Sequence, residues 1–173
     1  MVTCMNRREA EGMRFFFALV LMFSVVLSAS SSQAGGDFCS ESLSRLGDTE
    51  PVMIEKHGEP DETVVTPVEN IHNPEITDHR YDHIYSGLVF SFYQPSQGEG
   101  RTILFRVEVQ DRGLCFRGLC VGSSRKNVTD VLGEGVEWEG NLIYEDDEGG
   151  ASVNISFNEA DEVSRFVFLP YID

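Results

Sequence analysis

Three of the four histidines fall within one short stretch, at His72, His79 and His83, with Glu75, Asp78 and Asp82 interspersed. Imidazole and carboxylate are ligands that suit zinc and copper. His79 and His83 are four residues apart, so they share one face of either a strand or a helix. No cysteine joins them, however, and the spacing matches no recognised ligand signature. The segment from Thr66 to His83 therefore reads as a solvated polar loop, and no metal or other cofactor is expected. His72, His79, His83 and Asp82 are the candidates if a cation is taken up.

Other chemistry is harder to find. Ser and His are both present, but no Gly-x-Ser-x-Gly elbow occurs, and the glycines do not form a phosphate loop. The acidic run Glu145-Asp-Asp-Glu148 lacks the alternating ligands of a calcium loop, and reads as a hairpin tip. With no nucleophile, base or metal signature, an enzyme is not expected. Cys115 and Cys120 enclose Phe-Arg-Gly-Leu, a spacer that can close on a tight turn with the help of Gly118. A Cys115–Cys120 disulfide is favoured over a bond to Cys39, although connectivity does not follow from sequence. Cys39 would then be free, bound to another chain or bonded to one of the pair.

An oxidising compartment is implied by the N-terminal residues. Arg14 precedes a largely apolar run, Phe15 to Leu27, followed by small residues ending Ser32-Gln33-Ala34. This is the form of a secretory leader, and the run is short for a bilayer span, which needs roughly 20 residues. Residues 1–34 are assigned to it, with translation beginning at Met13 or Met5, because Glu9 and Glu11 are unhelpful in a basic leader. No cysteine directly follows the exit, so no lipid anchor is expected after cleavage.

The 173 residues carry 29 acidic and 13 basic side chains, a formal charge of −16. The assigned leader holds three arginines and two glutamates, so its removal leaves the chain more acidic still. Such a field repels nucleic acid and anionic lipid, and leaves basic proteins, cations and neutral ligands as partners.

Self-comparison organises the remainder. Leu46-Gly-Asp-Thr-Glu-Pro-Val-Met-Ile-Glu-Lys-His-Gly-Glu59 and Val121-Gly-Ser-Ser-Arg-Lys-Asn-Val-Thr-Asp-Val-Leu-Gly-Glu134 both run from an apolar residue and glycine, through capping residues and a short helical stretch, to Gly-Glu. Asp48 or Thr49, and Ser123 or Ser124, are the expected caps, and Gly58 and Gly133 the stops. Strands follow each: Tyr81–Tyr85, Leu88–Tyr93 and Thr102–Val109 in the first, then 141–144, 151–157 and 163–168 in the second. Ser86-Gly87 is a hairpin turn. Ile103, Phe105, Val107 and Val109 alternate with Arg106 and Glu108, which predicts one buried face. Trp138, Tyr144, Phe90, Phe92 and Tyr93 read mostly as sheet core. The expected fold is α+β: two tandem repeats, 44–112 and 113–173, each a short helix on an antiparallel meander of three or four strands. Residues 35–43 form a short N-terminal segment.

The second motif, continued by Leu142-Ile-Tyr144 and the later strands, resembles the superfamily of the BamE (SmpA/OmlA) envelope lipoproteins and the β-lactamase inhibitor protein. The resemblance covers about residues 44–169 and implies action by protein binding rather than catalysis. It implies an adaptor or scaffold of the envelope whose partner is another protein; the leader makes the chain exported, periplasmic or secreted, and its acidity favours a basic partner if not one simply located in the envelope. An inhibitor of a secreted enzyme is the alternative within that class. The alternative outside it is a metal- or small-ligand-binding periplasmic protein using residues 66–83.

Overall fold

The computed structural model describes residues 30–70, 72–97, 100–145 and 150–170, so the assigned leader lies outside the described residues up to residue 29. Three helices occur among them: α1 (Ser30–Leu46), α2 (Glu50–His57) and α3 (Arg125–Leu132). Helix α1 was not foreseen in the segment before residue 44. Its Gly35-Gly36 pair and serines are poor helix formers. Its buried residues nevertheless recur as Phe38, Cys39, Ser42, Leu43 and Leu46, one stripe of a 3.6-residue period. Tertiary packing of that stripe outweighs the local propensity. The chain then turns at Gly47, where a side chain would lie 2.9 Å from the Met53 backbone, so only glycine lets α1 and α2 meet this closely.

The two predicted short helices are present. Thr49 is the first cap, by backbone conformation only, whereas the Ser124 hydroxyl accepts the Asn127 N–H at 3.2 Å. They end at Gly58 and Gly133, whose N–H groups return to Ile54 and Thr129. Each helix has only eight residues and depends on the sheet beneath for its stability.

Ten strands follow in chain order: β1 (Glu62–Glu69), β2 (Thr77–Tyr85), β3 (Leu88–Gln94), β4 (Ile103–Val109), β5 (Cys115–Phe116), β6 (Leu119–Cys120), β7 (Val136–Trp138), β8 (Asn141–Glu145), β9 (Ser152–Phe157) and β10 (Val163–Leu169). Eight of them form one antiparallel sheet in the order β1-β2-β3-β4-β10-β9-β8-β7. This overturns the expectation of two tandem helix-on-meander repeats. At the centre β4 pairs with β10, Phe166 opposite Val109 and Phe168 opposite Val107. Strands from both segments therefore belong to a single sheet with one continuous core, to which α1 adds a third helix. The physical reason is edge satisfaction. Either segment alone would leave β4 or β10 as a long apolar edge with unpaired backbone groups, and their pairing removes both edges.

The core lies between the helices and one sheet face. Phe38 of α1 packs on Phe116, Phe166 and Phe168 at 6.1–6.5 Å between ring centroids. His57 of α2 lies 5.5 Å from Phe90. Beyond α3, the Tyr144 hydroxyl donates to the Gly133 carbonyl at 3.0 Å, and burial with the nearby Glu134 charge pushes that phenol up to about 12. The disulfide joins Cys115 and Cys120 across the β5–β6 hairpin, whose turn residues Arg117 and Gly118 both have positive φ. Arg45 of α1 donates to the Cys115 carbonyl at 2.9 Å, and Arg117 donates to Glu41 at 2.8 Å. The hairpin thus ties α1 to the sheet. Cys39 lies outside the disulfide; its buried thiol donates to the Ser152 carbonyl at 3.2 Å.

Candidate binding face

Successive side chains of a strand point to opposite faces, so the register assigns each residue of the sheet to a side. The helices pack over Phe90, Phe92, Val107, Val109, Phe166 and Phe168. The other face is crossed by one register row: Glu62, Ile84, Val89, Glu108, Val167, Asn154, Ile143 and Val136. None of the helix contacts given above reaches this row, and most of its members are half-exposed or exposed.

A band of charge runs across the middle of this open face. Asp82 accepts from Arg80 at 2.9 and 3.0 Å and from the Ser91 hydroxyl at 2.6 Å. Glu108 accepts from Arg106 and from Gln110 at 2.6 Å, with Arg165 at 3.5 Å. The two carboxylates are sunk, their side chains 16% and 14% exposed, while the three arginine side chains remain 40–44% exposed. The band therefore presents planar donors already paired with acids, a surface suited to hydrogen-bonding and stacking partners. At one end of the face lies an apolar edge. Val136 and Trp138 of β7 are 68% and 63% exposed beside Ile143.

At the other end is a pocket of about 600 Å³. It exists because β4 departs from alternation. Ser91 pairs with Arg106 but Phe92 pairs with Leu104, so one residue of β4, Phe105, is inserted as a bulge. Leu104 consequently enters the core and Ile103 and Phe105 emerge on the open face, correcting the expectation that Ile103 and Phe105 share a face with Val107 and Val109. With Val68, Tyr93 and Pro95 they make the apolar walls, and Arg80, Glu69, Asn70 and His72 complete the lining.

Asp78 holds these walls together. Fully buried, it accepts from Asn70 at 2.7 Å, from the Ser96 backbone N–H at 2.7 Å and from the Tyr93 hydroxyl. One carboxylate thereby joins the β1–β2 turn, β3 and the segment after β3. The Ser96 N–H, then the Tyr93 hydroxyl, hold its pKa below the usual carboxylate value, and the same bond raises that of Tyr93.

The stretch from Thr66 to His83 is mostly not a loop: 62–69 and 77–85 are paired strands, Thr66 opposite Arg80 and Pro67 opposite His79. This disperses the predicted cation ligands. His72 is exposed at the pocket rim. His79 and His83 sit on the helix side of β2, about 13 Å apart along an extended strand. His83 is buried, sharing a hydrogen bond with Thr63 at 2.9 Å, with a Glu50 oxygen 3.2 Å from Nε2. Asp82 points to the opposite face. Among the described residues no group of three His, Cys, Asp or Glu could hold a metal ion. Of the aromatic residues read as core, Phe90, Phe92 and Tyr144 are buried, whereas Tyr93 lines the pocket and Trp138 is exposed. The tip of the acidic run, 146–149, lies outside the described residues.

Sequence reasoning missed the pocket because a bulge leaves no local signature in an alternating strand. Among the described residues, no helix is long and apolar enough to cross a membrane. No protein family, no curated protein and no solved structure matches the chain.

Proposed function

We infer that this chain is an exported, non-enzymatic binding module that engages another protein through the open face of its sheet. The carrying observation is that face itself: eight strands wide, with an arginine–carboxylate band between an exposed Val136–Trp138 edge and an apolar pocket. Exposed aromatic and arginine side chains are the types that dominate binding energy at protein interfaces. The formal charge of −16 favours a basic partner. The leader-like N-terminus and the disulfide support an exported location.

Affinity capture from envelope extract tests the reading. The unaltered chain is expected to retain a stoichiometric partner, Trp138→Ser with Val136→Lys to lose it, and Val131→Ser, exposed on α3, to keep it. A partner indifferent to the β7 changes, or none, sinks the proposal. A second reading is favoured by the pocket: residues 68–80 supply part of its lining, which supports small-ligand binding by the segment 66–83.

A further inference from the structure

We propose that the pocket beside the β4 bulge takes a small uncharged molecule: an apolar body carrying one neutral oxygen. The inference rests on the ligand-binding reading of the pocket and is independent of the protein-binding reading of the face. The volume, about 600 Å³, lies within the range of small-molecule sites. Val68, the Tyr93 ring, Pro95, Ile103 and Phe105 make its walls, and the bulge places Ile103 and Phe105 there at the expense of their burial in the core. Bulges recur beside functional sites, where they re-aim side chains. An apolar body seated against these walls removes both surfaces from water, which is the favourable term for binding.

That the ligand is uncharged follows from the charged groups around the walls, which are already compensated or turned away. Arg80 is the lining arginine, and its guanidinium is held by Asp82 through Nε at 3.0 Å and Nη2 at 2.9 Å. An anion would have to compete with that carboxylate, against the field of an acidic chain. A cation finds no unpaired acid. Val68 faces the pocket, so the register turns the next side chain of β1, that of Glu69, to the opposite face of the sheet. Asp78, behind Tyr93, already accepts from the Tyr93 hydroxyl, Asn70 and the Ser96 N–H. The Asn70 side-chain oxygen is likewise taken, by the N–H groups of His72 and Asn73 at 2.9 and 3.0 Å. A charged ligand would therefore give up its hydration without gaining a counter-charge. Asp82 does not engage Nη1 of Arg80, which remains a donor. A neutral oxygen can accept from it while the body lies against Ile103 and Phe105 and the Arg80–Asp82 pair stays intact.

The test titrates the full chain by calorimetry with hexanol, heptanol and octanol, and separately with octanoate and octylammonium. The alcohols are expected to bind one to one, with affinity rising about three- to fourfold per added methylene. Octanol should bind about tenfold or more tighter than either ion of the same chain length. Phe105→Ala should weaken octanol about tenfold, and Val68→Thr, a near-isosteric change in another wall, about threefold. Trp138→Ser, at the β7 edge, should leave it unchanged. Octanoate or octylammonium binding as tightly as octanol overturns the uncharged class while leaving a ligand pocket. No binding of any probe overturns both readings. Several weak sites per chain, or affinity untouched by both wall variants, overturns the proposal by identifying general partition onto apolar surface. Loss of binding in Trp138→Ser moves the site to the β7 edge and overturns it as well. Displacement of octanol by an uncharged leucine peptide at far lower concentration would overturn it in favour of a segment of a partner protein.

Discussion

The two faces of the eight-stranded sheet are made by the same strands and differ in almost every other respect. The covered face is a continuous run of Phe90, Phe92, Val107, Val109, Phe166 and Phe168, all but fully buried. The open face carries Asp82 and Glu108 with three arginines beside Ile84, Val89 and Val167, and has the pocket towards one end and the exposed β7 edge at the other. Alternation alone would sort residues so, with apolar side chains to one side and polar ones to the other. The exceptions are instructive. Ile103 and Phe105 are apolar residues delivered to the open side by one inserted residue, and His83 is a polar residue delivered to the covered side. The covered face is built for stability, and the departures on the open face lie where the proposed binding would take place.

This contrast can be broken most severely from the covered side. Phe168→Ala should cost about 3–5 kcal/mol in chemical denaturation, because a large ring leaves a cavity in a close-packed core. Phe105→Ala should cost a small fraction of that; equal losses would mean that the bulge residue belongs to the core after all. Replacing Cys115 and Cys120 by serine should cost about 2 kcal/mol, the expectation for closing so short a loop, measured under oxidising conditions against the unaltered chain. A negligible change would show that Arg45 and Arg117 alone suffice to hold the hairpin on α1.

Asp78 sharpens the comparison at the pocket. Its folded-state pKa is lowered, chiefly by the Ser96 N–H and then the Tyr93 hydroxyl. The ionised form therefore stabilises the folded chain above the ordinary carboxylate value, and that contribution is lost as pH falls through the folded-state pKa. Asp78→Asn should lower the thermal midpoint at neutral pH, and the gap to the unaltered chain should shrink under acid conditions. A gap that stays constant across that range would mean that shape, not charge, matters there. The smallest effect is expected in the middle of the open face. Arg165→Ala should change stability by less than about 1 kcal/mol, since a half-exposed ion pair contributes little. A larger loss would make the charged band a structural rather than a binding feature.

Much of this architecture could be read locally. The caps and stops of α2 and α3, the Ser86-Gly87 hairpin and the strands of 141–169 follow from short-range rules about capping, turns and alternation. The Asn158 turn does too, its side chain accepting from the Ala160 and Glu162 N–H groups. The Cys115–Cys120 bond was favoured from a four-residue spacer and a glycine. The candidate site was less legible. Of the pocket lining, only His72 had been singled out as a candidate, and for a different reason. Val68, Tyr93, Ile103 and Phe105 look like ordinary strand residues, and their meeting depends on strand pairing across the sheet.

By itself, then, the sequence determined most of the elements, although β1, β5, β6 and β7 were not among the expected strands: two short glycine-ended helices, six of the ten strands, a hairpin turn, a strongly acidic composition and a cysteine pair close enough to bond. These depend on neighbours within a few positions along the chain. Only the tertiary structure decided that β4 pairs with β10 to make one sheet, that Phe38 and its companions fold a glycine- and serine-rich segment into α1, and that a bulge opens a pocket at Phe105. Each of these outcomes comes from contacts between residues distant in sequence. There, buried area and satisfied backbone groups outweigh local preference.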